Sequence, residues 1–273
     1  MRIAIAGKGG TGKTTVAGTL ARALARESDR EVLAIDADTN PNLATVLGIG
    51  RERAQELIGL PRTLVERRSN DDGTTRQVFV ANPDDVVNDY AVVGPDNVRL
   101  MVMGKVGHAG VGCLCGAHAA VRGFLGEVAT RDDARHVIVD MEAGLEHLSR
   151  GTGRSVSRIV AVLEPYYRSM ETARNVALLA AELGIAEVVV VSNKVRDEND
   201  RTAIAGFCRT HGMRLVGEIP FDSALADAER EGGAPIDVAP DSPAVRAIVA
   251  MTWLVTDALP IPERDAAQLT AHA

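Results

Sequence analysis

The sequence predicts an α/β protein with a doubly wound, mostly parallel sheet flanked by helices. Three observations carry this. Seven short apolar runs recur along the chain, longer helical patterns separate them, and a glycine-rich turn follows the first run directly. Apolar runs without polar alternation suit strands covered on both faces, which a parallel sheet requires.

In chain order the strand candidates are RIAIAG (2–7), EVLAID (31–36), VRLMVMG (98–104), HVIVDM (136–141), RIVAVLE (158–164), EVVVVSN (187–193) and RLVGEIP (214–220). Between them, TTVAGTLARALARES (14–28), METARNVALLAAELG (170–184) and RTAIAGFCRTHG (201–212) read as helices, the last two stopped at glycine. A short helix is expected near NLATVLG (42–48). SPAVRAIVAMTWLVTDALP (242–260) carries a single arginine and reads as a helix packed on the core. Residues 50–97 fit less well; their charge, Pro61 and an Asn-Asp-Asp-Gly turn suggest a surface insertion with some helix. The expected organisation is one domain over residues 1–260 and a flexible tail over 261–273.

Composition narrows the function. At 273 residues the chain exceeds the usual single-domain size of ~100–200 residues, yet one α/β domain accommodates it. A formal charge of −7 and 3% aromatic residues argue against a nucleic-acid or anionic-lipid surface. The opening MRIAIAG is too short for the apolar core of a signal peptide, and no apolar run reaches the ~20 residues that span a bilayer. A cytoplasmic location without nucleic-acid or membrane partners is therefore expected. In a reducing compartment a close cysteine pair points to metal or redox chemistry rather than a structural disulfide.

GKGGTGKTT (7–15) satisfies G-x-x-x-x-G-K-[ST] through Gly7, Gly12, Lys13 and Thr14, between a strand and an Ala/Leu-rich helix. Gly9, Gly10 and Thr11 complete the turn, whose backbone N–H groups and following helix N-terminus form an anion cradle closed by Thr15. Lys13 is expected on the β- and γ-phosphates of ATP, and the Thr14 hydroxyl on Mg²⁺. The alternative is a glycine loop at an ordinary strand–helix turn.

With Lys8 included, KGGTGKT resembles the deviant Walker A loop of the nitrogenase iron protein and of cell-division and partition ATPases. The resemblance implies that Lys8 reaches the nucleotide of a second subunit across a dimer interface; otherwise Lys8 is a solvated loop residue. In AIDADTNPNL (34–43) it implies Asp36 on the Mg²⁺ water shell and Asp38 orienting the attacking water, although either carboxylate, or Asn40, also suits a helix cap. HVIVDMEAG (136–144) has the Walker B form and implies that Asp140 contacts Mg²⁺, with Gly144 as a hinge for the following segment. In VVVVSNK (188–194) the resemblance places Asn193, with Lys194 beside it, at the adenine edge, and GEIPFD (217–222) over the base.

Two of the three cysteines stand in GVGCLCGAH (110–118). Thiolates at Cys113 and Cys115 suit one soft or borderline ion, and nearby glycines free the backbone to aim them. A tetrahedral site needs four ligands. His108 and His118 supply the rest, or a second copy of the chain meets the first on a two-fold axis and gives four sulfurs. A packed pair of small side chains and a redox pair are the alternatives, a disulfide ring this short being strained. Cys208 reads as packed and inert.

Together with DMEAGLEHLSRGT (140–152) and VLEP (162–165), these features are similar to the carbon monoxide dehydrogenase nickel-insertion ATPases, over about residues 1–230. That resemblance implies a homodimeric ATPase holding Ni²⁺ or Zn²⁺ between its subunits, with a client nickel enzyme such as carbon monoxide dehydrogenase. Gly116 departs from the proline expected after the second cysteine. Two rivals remain: a spatial-organiser ATPase, which calls for a basic amphipathic helix or patch, and an iron–sulfur reductase with a bridging cluster, which would be brown.

Overall fold

Alternate residues of the first strand feed two separate layers. In β1 (Arg2–Gly7), Ile3 and Ile5 face one side of the sheet, while Ala4 and Ala6 face the other. The computed structural model describes residues 1–69, 72–104, 115–131, 135–144 and 152–256. After β1 come α1 (Lys13–Glu27), β2 (Val32–Ala37), α2 (Leu43–Val46) and α3 (Arg51–Gln55). Next are β3 (Val65–Ser69), β4 (Thr75–Phe79), α4 (Pro83–Tyr90), β5 (Val92–Val93) and β6 (Arg99–Val102). The core of the chain continues through α5 (Cys115–Thr130), β7 (His136–Met141), β8 (Arg158–Leu163), α6 (Tyr167–Glu182) and β9 (Glu187–Val195). It ends with α7 (Glu198–Thr210), β10 (Arg214–Pro220), α8 (Ser223–Glu231), α9 (Pro235–Val238), α10 (Pro243–Ala250) and α11 (Thr252–Thr256).

Eight strands form one sheet in the order β10-β9-β8-β1-β7-β2-β6-β5, parallel except for the antiparallel edge strand β5. The chain runs from β1 outward to β6, then returns to set β7 and β8 on either side of β1. The order therefore reverses at β1, the switch point where such sheets bind ligands beyond their carboxyl ends. Helices α1, α2, α10 and α11 cover the Ile3/Ile5 face, and α5, α6 and α7 cover the other. On α1, Leu20 and Leu24 are fully buried, each contributing ~1.5–3 kcal/mol by leaving water. All seven expected strands form.

Residues 50–97 depart from the surface insertion with some helix that their charge suggested. The helices α3 and α4 are present, but β3 and β4 pair as an antiparallel hairpin and β5 extends the main sheet. Ser69 stands opposite Thr75 in register at the end of the hairpin; Asn70 and Asp71 of the expected Asn-Asp-Asp-Gly turn lie outside the described residues. Leu57, Leu60, Leu64, Phe79, Val86 and Val87 are buried, so the inner side of this insertion belongs to the core. The hairpin strands are exposed along most of their length and so offered no alternating apolar pattern to read. Arg22 of α1, only 2% exposed, fastens the same region by pairing with Asp96 and with Asp237 of α9.

Among the described residues no helix is long and apolar enough to cross a membrane. Residues 257–273, which include the whole of the expected tail, lie outside those described.

Candidate functional site

The turn between β1 and α1 lies at the switch point, and local chemistry sets its shape. Gly12 takes φ 87 and stands as N-cap of α1 without a side-chain cap. A Cβ there would press into the Asn193 amide, so only glycine fits. The first-turn N–H groups, at Lys13, Thr14 and Thr15, have no partner within the helix and add the positive end of its dipole. Backbone donors and dipole together make an anion site. Gly7 follows suit, with φ 151 and its carbonyl accepting the Gly144 N–H at 3.2 Å.

The loop is tied from below. The Thr11 hydroxyl donates to the Lys8 carbonyl at 2.9 Å, and Lys13 Nζ donates to the same oxygen at 3.3 Å. Asn193 Nδ2 donates to the Thr11 carbonyl at 2.7 Å, while its Oδ1 accepts the Lys194 N–H at 2.8 Å. Both ends of the Asn193 amide are thus committed to protein, at a residue 4% exposed. The geometry makes this residue a brace for the loop, whatever contact a nucleotide adds. Lys194 sits at φ 59, a costly conformation for a side chain of its size. There its Nζ donates to the Gly10 carbonyl at 2.7 Å and pairs with Glu164 at 2.6 Å. Glu164 also accepts from the Tyr166 hydroxyl at 2.6 Å, and Lys8 Nζ rests 5.6 Å from the centre of the Tyr166 ring. Sequence reading assigned Glu164 and Tyr166 no role. The one sequence signal was a carboxylate closing an otherwise apolar strand.

Three acidic residues face the loop. Asp36 and Asp140 are register partners on the neighbouring strands β2 and β7. Burial pushes the Asp36 carboxyl up to about 6, against the hydrogen bonds from the Leu43 and Asp38 amides. Those bonds measure 2.8 and 3.1 Å, so Asp36 anchors the start of α2, as the helix-capping alternative anticipated. Burial and then the Asp36 charge push Asp140 up to about 7, against the Thr14 hydroxyl and Lys13. Asp140 Oδ1 is buried with no hydrogen-bond partner among the described residues. Lys13 is lowered by burial, with Asp140 and Asp38 opposing. Asp38 accepts the Asn40 N–H at 2.9 Å in a local turn. Next to it, Thr39 donates to Glu142 at 3.1 Å and so joins the segments after β2 and β7.

Two buried carboxylates and a hydroxyl converge here around an unsatisfied oxygen. Such an all-oxygen donor set suits a hard divalent cation such as Mg²⁺. Lys13, Thr14, Asp36 and Asp140 are therefore brought together, with Asp38, Lys8, Asn193 and Lys194 around them.

The cysteine pair is only partly in view. Cys113 and His108 lie outside the described residues, and Cys115 enters as the first residue of α5. His118 lies in the first turn of that helix and is buried. Among the described residues no group of three or more His, Cys, Asp or Glu side chains is placed to hold a metal ion. Cys208 is buried on α7 and burial raises its thiol to about 11, in keeping with an inert role.

Comparison with known proteins agrees with this geometry. Residues 3–246 match the CobQ/CobB/MinD/ParA nucleotide binding domain. The chain is 41% identical over 246 residues to the carbon monoxide dehydrogenase accessory protein CooC of Rhodospirillum rubrum, covering 88% of this chain and 91% of that protein. It is 36% identical over 255 residues to an uncharacterized ATP-binding protein of Methanocaldococcus jannaschii, covering 91% and 95%. In fold it is similar to the septum site-determining protein MinD of Pyrococcus horikoshii, solved with Mg-ADP, with a TM-score of 0.66, 20% identity and coverage of 93% and 95%. The chain belongs to the CobQ/CobB/MinD/ParA nucleotide-binding family and, within it, is an ATPase of the CooC type.

Proposed function

We propose that this ATPase serves the maturation of carbon monoxide dehydrogenase, and that its cargo is nickel held by Cys113 and Cys115 at a dimer interface. The observation that carries the first part is the 41% identity, over most of both chains, to a carbon monoxide dehydrogenase accessory protein. The nickel and the dimer rest on the Cys-x-Cys pair and on Lys8.

In this reading the backbone N–H groups of the Gly9–Thr15 loop hold the phosphates of ATP, and Lys13 neutralises the β- and γ-oxygens. Thr14, Asp36 and Asp140 would hold Mg²⁺, which would supply positive charge to offset that of the phosphates. Asp38 orients the attacking water, and Lys8 of each subunit supplies charge at the nucleotide of the other. Two subunits bring four sulfurs together, which completes a tetrahedral site for nickel or for zinc in its place. If ATP favours the closed dimer and the closed dimer forms the sulfur site, ATP raises metal affinity. By reciprocity, metal raises ATP affinity by the same factor. Hydrolysis then loosens the dimer and hands the metal to the client enzyme.

The direct test is titration with Ni²⁺ or Zn²⁺ in the presence of ATP. The Cys113→Ser/Cys115→Ser variant is expected to lose stoichiometric metal binding. Unchanged affinity in that variant removes the metal reading and leaves the ATPase.

A further inference from the structure

Three carbonyls of the phosphate loop accept hydrogen bonds from side chains. The Lys8 oxygen is served from within the loop, by the Thr11 hydroxyl and Lys13 Nζ. The Gly10 and Thr11 oxygens are served by two consecutive residues of β9, Lys194 Nζ at 2.7 Å and Asn193 Nδ2 at 2.7 Å. A peptide unit is planar, so a donor that fixes one carbonyl also fixes the N–H of the next residue. Lys194 therefore sets the Gly10–Thr11 unit, whose N–H closes a turn on the Lys8 carbonyl at 3.3 Å. An anion cradle gains affinity when such units are held before the anion arrives.

A lysine is a poor brace by itself, since its ammonium rides on a flexible four-carbon stem. Two features make Lys194 a better one. Its backbone is left-handed, at φ 59, near the end of β9. Beside it the pairing of β10 with β9 shifts register, between Glu218 and Pro220. Strain of this kind persists only where the surroundings impose it. The second feature is Glu164, whose Oε1 lies 2.6 Å from Lys194 Nζ. Leu163 and Ser192 are register partners on β8 and β9, so Glu164 and Asn193 follow side by side. Glu164 is buried. Its N–H donates to the Ser169 hydroxyl at 2.9 Å, in the first turn of α6, and its Oε2 accepts from the Tyr166 hydroxyl at 2.6 Å. Both carboxylate oxygens are thus occupied, which leaves the group little freedom to turn.

The pair is not needed to join β8 to β9, because those strands are already paired along β8 from Arg158 opposite Glu187 to Leu163 opposite Ser192. Its reach is toward the loop. The same carboxylate also holds, through the Tyr166 hydroxyl, the ring against which Lys8 Nζ rests at 5.6 Å. We infer that Glu164 is a positioning residue for nucleotide binding: it holds Lys194 on the Gly10 carbonyl and so keeps the phosphate loop in the shape that receives ATP, without touching the nucleotide. The inference needs the ATPase alone and is independent of the metal.

Calorimetric titration of full-length protein with Mg-ADP tests it, together with KM and kcat from phosphate release and thermal midpoints from circular dichroism. Glu164→Gln keeps the size of the side chain and removes its charge. It is expected to bind Mg-ADP about tenfold more weakly. KM for ATP is expected to rise by the same factor with kcat within about twofold of wild type, because the loop holds substrate and transition state alike. Lys194→Met is expected to lose at least as much. Adding Glu164→Gln to Lys194→Met is expected to weaken binding no further, since Glu164 acts through that ammonium. Wild-type affinity in Glu164→Gln, with or without a lower thermal midpoint, overturns the inference and leaves a structural ion pair. Losses that add in the double variant overturn it too. Should Glu164→Gln not fold, Tyr166→Phe decides, because it keeps the ring and removes only the hydroxyl on Glu164. It is expected to bind Mg-ADP about threefold more weakly, and to do so only where Lys194 is present. Unchanged affinity in Tyr166→Phe would then overturn the inference.

Discussion

Asp140 and Lys13 define the site at the scale of single residues. Neighbouring strands place Asp140 opposite Asp36, and burial followed by the Asp36 charge favours the protonated form of Asp140. Lys13 supplies one positive charge, and the oxygen of Asp140 left without a partner marks the direction of a second. Roles follow from position. Lys13→Ala is expected to weaken ATP binding and lower phosphate release by roughly 100- to 1,000-fold. Asp38→Ala, which leaves the phosphate cradle intact, is expected to lower turnover to a similar extent at little cost in KM. Phosphate release measured across ATP concentrations separates the two, and Asp38→Ala turnover near wild type would remove its role in orienting water. Much of this was legible in the sequence because Gly12, Lys13, Thr14, Asp36 and Asp140 each sit at a fixed offset from a strand end. The Glu164–Lys194 ion pair was not. Its partners are 30 positions apart in sequence, and no local pattern announces that β8 and β9 lie side by side.

Elements show a different balance. The parallel strands were legible to within a few residues because a strand covered on both faces must be apolar throughout. The hairpin of β3 and β4 escaped notice for the converse reason. Its residues point outward along most of β3, where Glu66, Arg67 and Arg68 are exposed, and only Phe79 at the far end is buried. Three backbone positions explain the docking of this region better than any apolar period: a Cβ on Gly59, Gly116 or Gly123 would collide with Gly104, Arg62 or Phe79 respectively. A second feature at this scale concerns β7, whose first residue, His136, packs against the turn after α1. Its Nε2 lies 3.1 Å from the Ser28 hydroxyl. Burial, then the chain's α-amino group and Arg30, lower its pKa from 6.5 to about 4. Between those values the unfolded chain binds a proton that the folded chain refuses. Stability from this residue is therefore complete above pH 6.5 and is lost as pH falls toward 4. Urea midpoints at pH 7.5 and pH 5 are expected to differ less in His136→Leu than in wild type; an equal difference would mean that another group governs the acid limb.

At the scale of the whole molecule, the fold is that of a nucleotide-binding ATPase, and the proposed mechanism adds a second copy of it. Lys8 currently lies against its own subunit's Tyr166 ring, held by an attraction of about 0.5–1 kcal/mol where such contacts are exposed. An attraction that small is easily exchanged for a phosphate. The molar mass in solution is expected to double when Mg-ATP and nickel are both present, read by light scattering. A mass that stays at 28.8 kDa under those conditions would contradict shared sites for nucleotide and metal.

One property of the sheet bears on how such sites communicate. Strands β1, β2, β6 and β7 all run the same way, so the phosphate loop, the acidic residues after β2 and β7, and Gly104 after β6 all emerge along a single rim. From β1 to β6 there are three strand intervals, or about 14 Å at the usual spacing. A stiff ruler of hydrogen-bonded backbone fixes that separation. Any partner that meets the rim face-on therefore touches the phosphate loop, its acidic residues and the end of β6 in the same encounter, with no message to relay through the interior.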